Sequence, residues 1–302
     1  EALPLKERAL QISEAAFGPD HPDTALRLGN LASTLSDLGR HTEALPLEER
    51  ALQVTEATLG PDHPTTALRL GNLAAIFSAL GRHTEALPLK ERALQITEAT
   101  LGPDHPTTAR RLNNLASTLS DLGRHTEALP LEERALQVTE AALGPDHPTT
   151  ALRLGNLGAT FSALGRHAEA LPLEERALQI CEAALGPDHP DTALRLGNLG
   201  ATFSALGRHA EALPLKERAL QICEAALGPD HPTTARRLNN LASTLSDLGR
   251  HAEAVNLAQR AWQVTKAALG PDHPDTAHRL SNLAALHGLL ADITHDEPES
   301  SA

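Results

Sequence analysis

Between residues 24 and 38 the apolar positions Leu28, Leu31, Ala32 and Leu35 fall at i, i+3, i+4 and i+7. At 100° per residue this spacing gathers them on one side and predicts an amphipathic helix, helix A, over Thr24–Leu38. Asp23 or Thr24 is placed to cap its start, and Gly39 stands where a left-handed residue commonly ends a helix. A second stripe, Ala44, Leu47, Ala51, Leu52 and Val54, predicts helix B over about 42–59. Gly60, Pro61 and Pro64 stop it. Pro46 is expected near the first turn of helix B, where a missing N–H matters least, with at most a slight bend there.

The whole pattern recurs. Gly-Pro-Asp-His-Pro occurs seven times, with its Asp at 20, 62, 104, 146, 188, 230 and 272, a constant step of 42 residues. Leu-Gly-Arg-His follows the same period from 38 to 248. The chain therefore reads as one array over residues 1–291, followed by a polar, disordered tail over 292–302. Loops of about three residues within a unit and about five between units make consecutive helices antiparallel neighbours. One such pair cannot cover its own apolar stripes, and helices of this length are marginal alone. Stacking pairs side by side covers the stripes, so the expected fold is all-α: an α-solenoid of stacked antiparallel helix pairs.

Asn30-Leu31-Ala32, Gly39, Glu43-Ala44, Ala51-Leu52 and the Leu-Gly-Pro-Asp-His-Pro linker resemble tetratricopeptide repeats. More narrowly they resemble the 42-residue variety of kinesin light chains and many bacterial proteins. The eight residues beyond the usual 34-residue period are expected to lengthen helix B and form the Gly-Pro loop. The resemblance implies a right-handed superhelix whose A helices line a concave groove. The chain departs from the family where aromatics are common: Lys6, Glu48, Lys90, Glu132, Glu174 and Lys216 stand there, and His41 stands where Tyr is usual. Acidic pairs such as Glu48-Glu49 are expected on a solvated face of helix B.

On helix A, positions 26, 30, 33 and 37 point away from the predicted core. Positions 26, 29, 33 and 37 vary among the copies, and all are read as lying near one face. Position 26 is Leu except at Arg110, Arg236 and His278; position 29 is Gly except at Asn113, Asn239 and Ser281; position 37 is either Asp or Ala in the first six copies. Amid them Asn30, Asn72, Asn114, Asn156, Asn198, Asn240 and Asn282 do not change. An amide offers both a donor and an acceptor, matching the two groups of an extended peptide backbone. The asparagines are therefore the candidate peptide-binding ladder, with Arg110 and Arg236 as candidate contacts to carboxylates. The alternative is that the ladder bonds neighbouring helices and only fixes their stacking.

Composition removes other functions. Aromatics are only 2% of the residues, so the core must be Leu and Ala, which suits packed helices. A net charge of −13 is the wrong sign for a phosphate-backbone binder, so no nucleic acid is expected. No apolar run reaches the ~18–20 residues of a membrane span, so no membrane partner is expected. The sixteen histidines are mostly two repeat-borne series, at 21 and 41 and their copies, too dispersed to converge on one ion. They are expected to pack or cap, with no metal and no cofactor. Cys181 and Cys223, one period apart, are expected to stay reduced, in a cytoplasmic protein. No phosphate loop or nucleophile motif is present, and nearly every polar residue comes in six or seven copies, so no enzyme activity is expected.

The expected partner is a protein or an extended peptide. The sequence does not begin with Met, and its first helix B has no helix A before it. We therefore expect a piece of a longer chain, with an upstream domain against the N-terminal helix. The alternative function is the sensor or regulatory arm of a larger bacterial signalling protein, a nucleotide-dependent switch or a protease fusion.

Overall fold

The computed structural model describes residues 2–296, with side chains from residue 2 to residue 291. Among the described residues there are fourteen helices and no strand. They fall into two units, residues 1–145 and 146–302. The first holds α1 (Ala2–Phe17), α2 (Pro22–Asp37), α3 (His41–Leu59), α4 (Pro64–Ala79), α5 (His83–Leu101), α6 (Pro106–Asp121) and α7 (His125–Leu143). The second holds α8 (Pro148–Ala163), α9 (His167–Leu185), α10 (Pro190–Ala205), α11 (His209–Leu227), α12 (Pro232–Asp247), α13 (His251–Leu269) and α14 (Pro274–Asp296). The side chains of the expected tail, 292–302, lie outside the described residues; α14 itself runs to Asp296.

Within each unit the even-numbered A helices and odd-numbered B helices alternate, and each B helix packs on its own A helix and on the next. This is the solenoid arrangement of stacked helix pairs. The A helices supply large core side chains: Leu28, Leu70 and Leu112 in the first unit and Leu196 and Leu238 in the second are fully buried. The B helices answer with alanine. Ala44, Ala86 and Ala128, then Ala51, Ala93 and Ala135, are likewise fully buried, so A and B backbones approach closely. An all-Leu seam would hold them further apart.

The turns are chemically uniform. After α2, Arg40 N–H bonds Leu35 O at 2.8 Å and Gly39 N–H bonds Ser36 O at 2.9 Å, a Schellman closure that needs the positive φ of +75° at Gly39. The expected cap of helix A is corrected. Pro22 and not Thr24 opens α2, and the N-cap is His21, whose Nδ1 accepts from Asp23 N–H at 3.2 Å. A proline at the first helical position leaves the capping to the residue before it. The other described A helices from α4 to α12 are capped the same way, which gives that histidine series its role. Thr24 turns inward instead and donates to Gly18 O at 2.8 Å, fastening the linker over the helix start.

Pro46 is also corrected: it is the sixth residue of α3, in its second turn. Helix B starts at His41, earlier than its apolar stripe suggests, because the Schellman turn delivers the chain already helical. The proline lies on the exposed side, where the freed Thr42 carbonyl meets water. On the outer side, arginines of successive B helices reach back one repeat. Arg50 binds Glu14 at 2.7 Å and Pro19 O at 3.3 Å; Arg134 binds Glu98 at 2.6 Å.

Candidate functional site

The seven asparagines are exposed or half-buried, never core. Clefts open between successive A helices, floored by the intervening B helix. In the first unit a cleft of about 270 Å³ is lined by Ser33 and Asp37 of α2 and Asn72 of α4, with Glu48 of α3 beneath. In the second unit, Ser162 of α8 and Asn198 and Thr202 of α10 line a cleft of about 320 Å³ over Glu174 of α9. A third, of about 290 Å³, lies between α12 and α14 and brings Asn240 and Asn282 together. Asn30 of α2 and Asn114 of α6 are exposed on the same helix position. Asn156 of α8 is half-buried and hydrogen-bonded or otherwise engaged. Part of the ladder also serves the scaffold: Asn72 bonds the Glu48 carboxylate, and Asn282 Nδ2 donates to Asn239 Oδ1 at 3.2 Å.

Arg110 and Arg236 are exposed at the starts of α6 and α12 and do not line these clefts. Each is followed by a buried or half-buried arginine, Arg111 and Arg237, whose guanidinium it pushes toward deprotonation by like-charge repulsion, after the larger effect of burial. The reading of position 29 as part of the exposed face is corrected. Gly29, Gly155 and Gly197 are buried, and Asn239 is only 9% exposed. Position 29 sits in the seam between A helices, one residue past the core leucine, and takes the arginine of the next A helix.

Those arginines were not legible as site residues. Arg69, Arg195 and Arg237 are buried against the preceding A helix. Arg111 donates to Ala67 O at 3.0 Å, and Arg69 Nη1 lies 3.5 Å from Glu48 Oε1. The signal was present: an arginine recurring every 42 residues beside a position restricted to Gly, Asn or Ser.

The expected solvated face of Glu48-Glu49 is also corrected. Glu49 is exposed, but Glu48 is 1% exposed and Glu174 3%. Each points inward to the floor of a cleft, bordered by Asn72 and Ala75 of α4 at Glu48 and by Ala159 of α8 and Ala201 and Thr202 of α10 at Glu174. Gly158 makes this possible at Glu174: a Cβ on Gly158 would lie 2.8 Å from Glu174 Cγ. Burial pushes both carboxyls up, more than Arg69 and Asn72, or Thr202 and Arg195, pull them down.

Lysine takes the same floor position in other repeats. Lys216 Nζ donates to Ser204 Oγ at 2.7 Å and Thr244 Oγ1 at 2.6 Å, and Asp247 lies close enough to favour its charged form. Lys90 reaches Ser78 and Thr118, with Asp121 in the same role. Desolvation still lowers Lys216 to about 8. Asp121 and Asp247 also meet the turn histidines, His83 at 3.4 Å and His209 at 3.3 Å. No group of three metal-ligating side chains occurs among the described residues, and none of the described helices is long and apolar enough to cross a membrane. Cys181 and Cys223 are buried and unbridged.

The family model for the tetratricopeptide repeat matches over residues 1–57, 28–99, 70–140, 112–183, 163–225, 196–267 and 238–294. No curated protein matches the chain by sequence. Among solved structures, the nearly identical TPR-like repeats of a kinesin light chain-type protein from Podosopora anserina are 26% identical, with a TM-score of 0.62, over 68% of this chain and 98% of that one. BtubC from P. vanneervenii is 24% identical with a TM-score of 0.62, over 74% and 88%. The apo form of RapI is 13% identical with a TM-score of 0.64, over 90% and 99%, a likeness of fold alone.

Proposed function

This chain belongs to the tetratricopeptide repeat family, and on that premise we propose that it is an interaction scaffold that holds an extended peptide or protein segment along its A helices. Repeats of this family generally mediate protein–protein interaction. The observation that carries the reading is the recurrence, in both units, of asparagine-edged clefts between successive A helices: Asn72 in the first, Asn198, Asn240 and Asn282 in the second. A row of amides at fixed spacing suits a backbone that repeats donor and acceptor. Arg110 and Arg236, exposed beside further arginines, take carboxylates of the guest. Binding works by shape and prearranged polar groups, without covalent chemistry, in the cytoplasm, where buried thiols stay reduced. A second reading is the regulatory arm of a larger bacterial signalling protein. It is favoured by the apolar residues that α1 leaves exposed, Leu5, Ile12 and Phe17.

The test is a displayed peptide library selected against the whole chain. Selected peptides should bind Asn198→Ala/Asn240→Ala at least about tenfold more weakly, with Tm changed by under about 2 °C. Unchanged affinity with a large fall in Tm would assign the asparagines to stacking.

A further inference from the structure

Building on the peptide-groove reading, we propose that the cleft between α8 and α10, floored by Glu174, is a receptor for a primary ammonium group: the lysine side chain of a bound peptide. Two residues that line this cleft each hold a buried polar atom without a partner, Glu174 Oε2 and His167 Nδ1. The remainder of the carboxylate is engaged by Thr202. An ammonium carries three donors and no acceptor. Glu174 Oε2, His167 Nδ1 and the Asn198 amide oxygen supply three acceptors on residues of one cavity. Ala159, Ala201 and Ala205 form its apolar walls, the surface a methylene stem covers while its head is paired.

Comparison with the lysine-floored repeats explains why this acid is open to a guest. Lys216 has Asp247 of the next A helix to balance it, and Lys90 has Asp121. The residue equivalent to those aspartates beside Glu174 is Ala205. Of the two counterparts in the first unit, Glu48 already has Arg69 Nη1 at 3.5 Å and Asn72 on its carboxylate, and Glu132 is engaged as well. Arg195 pulls on Glu174 from a distance, yet Oε2 stays unpartnered. A buried carboxylate oxygen left without a partner is destabilising, and a fitted cation removes that penalty. A metal ion does not fit, since the cleft lacks a third converging metal-ligating side chain.

The whole protein is titrated with n-butylammonium chloride, with n-butanol as the uncharged control, and followed by methyl NMR of Ala159, Ala201, Ala205 and Thr202. Saturable shifts at these methyls are expected. They should weaken at least about tenfold for n-butanol and for Glu174→Gln, and persist in Glu175→Gln, whose side chain is exposed. Ala201→Leu, which keeps the acid but fills the cleft, should also abolish them, and thermal melting confirms that each variant is folded. Equal shifts in wild type and Glu174→Gln, or no saturable shift in wild type, overturn the proposal. The probe needs no peptide, so the two readings fail separately. Selected peptides that bind while butylammonium does not leave the groove and remove the pocket; the reverse leaves the pocket and removes the groove.

Discussion

The guanidinium of Arg69 occupies the space a side chain at Gly29 would need: a Cβ built on Gly29 would lie 1.5 Å from Arg69 Nη1. The relation recurs at Gly71 with Arg111 (1.9 Å) and at Gly197 with Arg237 (1.8 Å). Arg237 is buried, so a Cβ on Gly197 would displace its guanidinium from the seam. Gly197→Ala should therefore lower stability by about 1–3 kcal/mol, the range of core overpacking. Gly288, a helical glycine of α14 with nothing within 4 Å of its built Cβ, should behave oppositely. Gly288→Ala should raise stability by up to about 1 kcal/mol. Urea midpoints of the two variants check the pair; the same sign for both would refute the steric account.

Glu174→Gln should melt higher than wild type at pH 7. Burial raises the Glu174 carboxyl above its ordinary value, outweighing Thr202 and Arg195. The folded chain then binds more protons than the unfolded chain in the window above the ordinary glutamate value, so wild-type stability falls as pH rises through that window. Glutamine has no proton to lose. The difference in Tm between variant and wild type should narrow as pH falls toward the ordinary glutamate range; a difference constant from pH 7 to pH 4 would contradict it.

Lys216 gives the opposite slope. Its amine titrates at about 8 in the fold against 10.5 ordinarily, so between these values the unfolded chain holds more protons. Stability should rise over that interval, by roughly 3 kcal/mol at most from this group. Lys216→Met removes the titration. Urea midpoints at intervals from pH 7 to 10 should show the wild type gaining on Lys216→Met as pH increases; parallel curves would exclude a desolvated lysine.

The fold was legible because its signals are local and repeated. Leu28, Leu31, Ala32 and Leu35 are buried as their spacing requires, and Gly39 closes α2 with a positive φ. The floor charges were not legible. Glu48 sits on helix B next to an exposed glutamate, and its inward course depends on Arg69 and Asn72, which the next A helix brings to its carboxylate. Position 29 was misread for a related reason. A glycine on a helical wheel carries no sign of what fills its empty side, and here the filler is an arginine from 40 residues further on. The asparagine clefts lie between. One helix predicts the face, but the cleft itself needs two A helices and the B helix beneath them.

The pairing of lysine with aspartate and of glutamate with alanine also bears on how near-identical hairpins find the correct neighbour. In the second unit a hairpin docked one step out of order would set Glu174 against Asp247, and leave Lys216 without its acid. The innermost apolar positions distinguish these arrangements poorly, since Leu154, Leu196 and Leu238 of the A helices and Ala170, Ala212 and Ala254 of the B helices recur unchanged. A few buried charges thus act as an address on each hairpin, penalising shuffled assemblies that hydrophobic contact would accept.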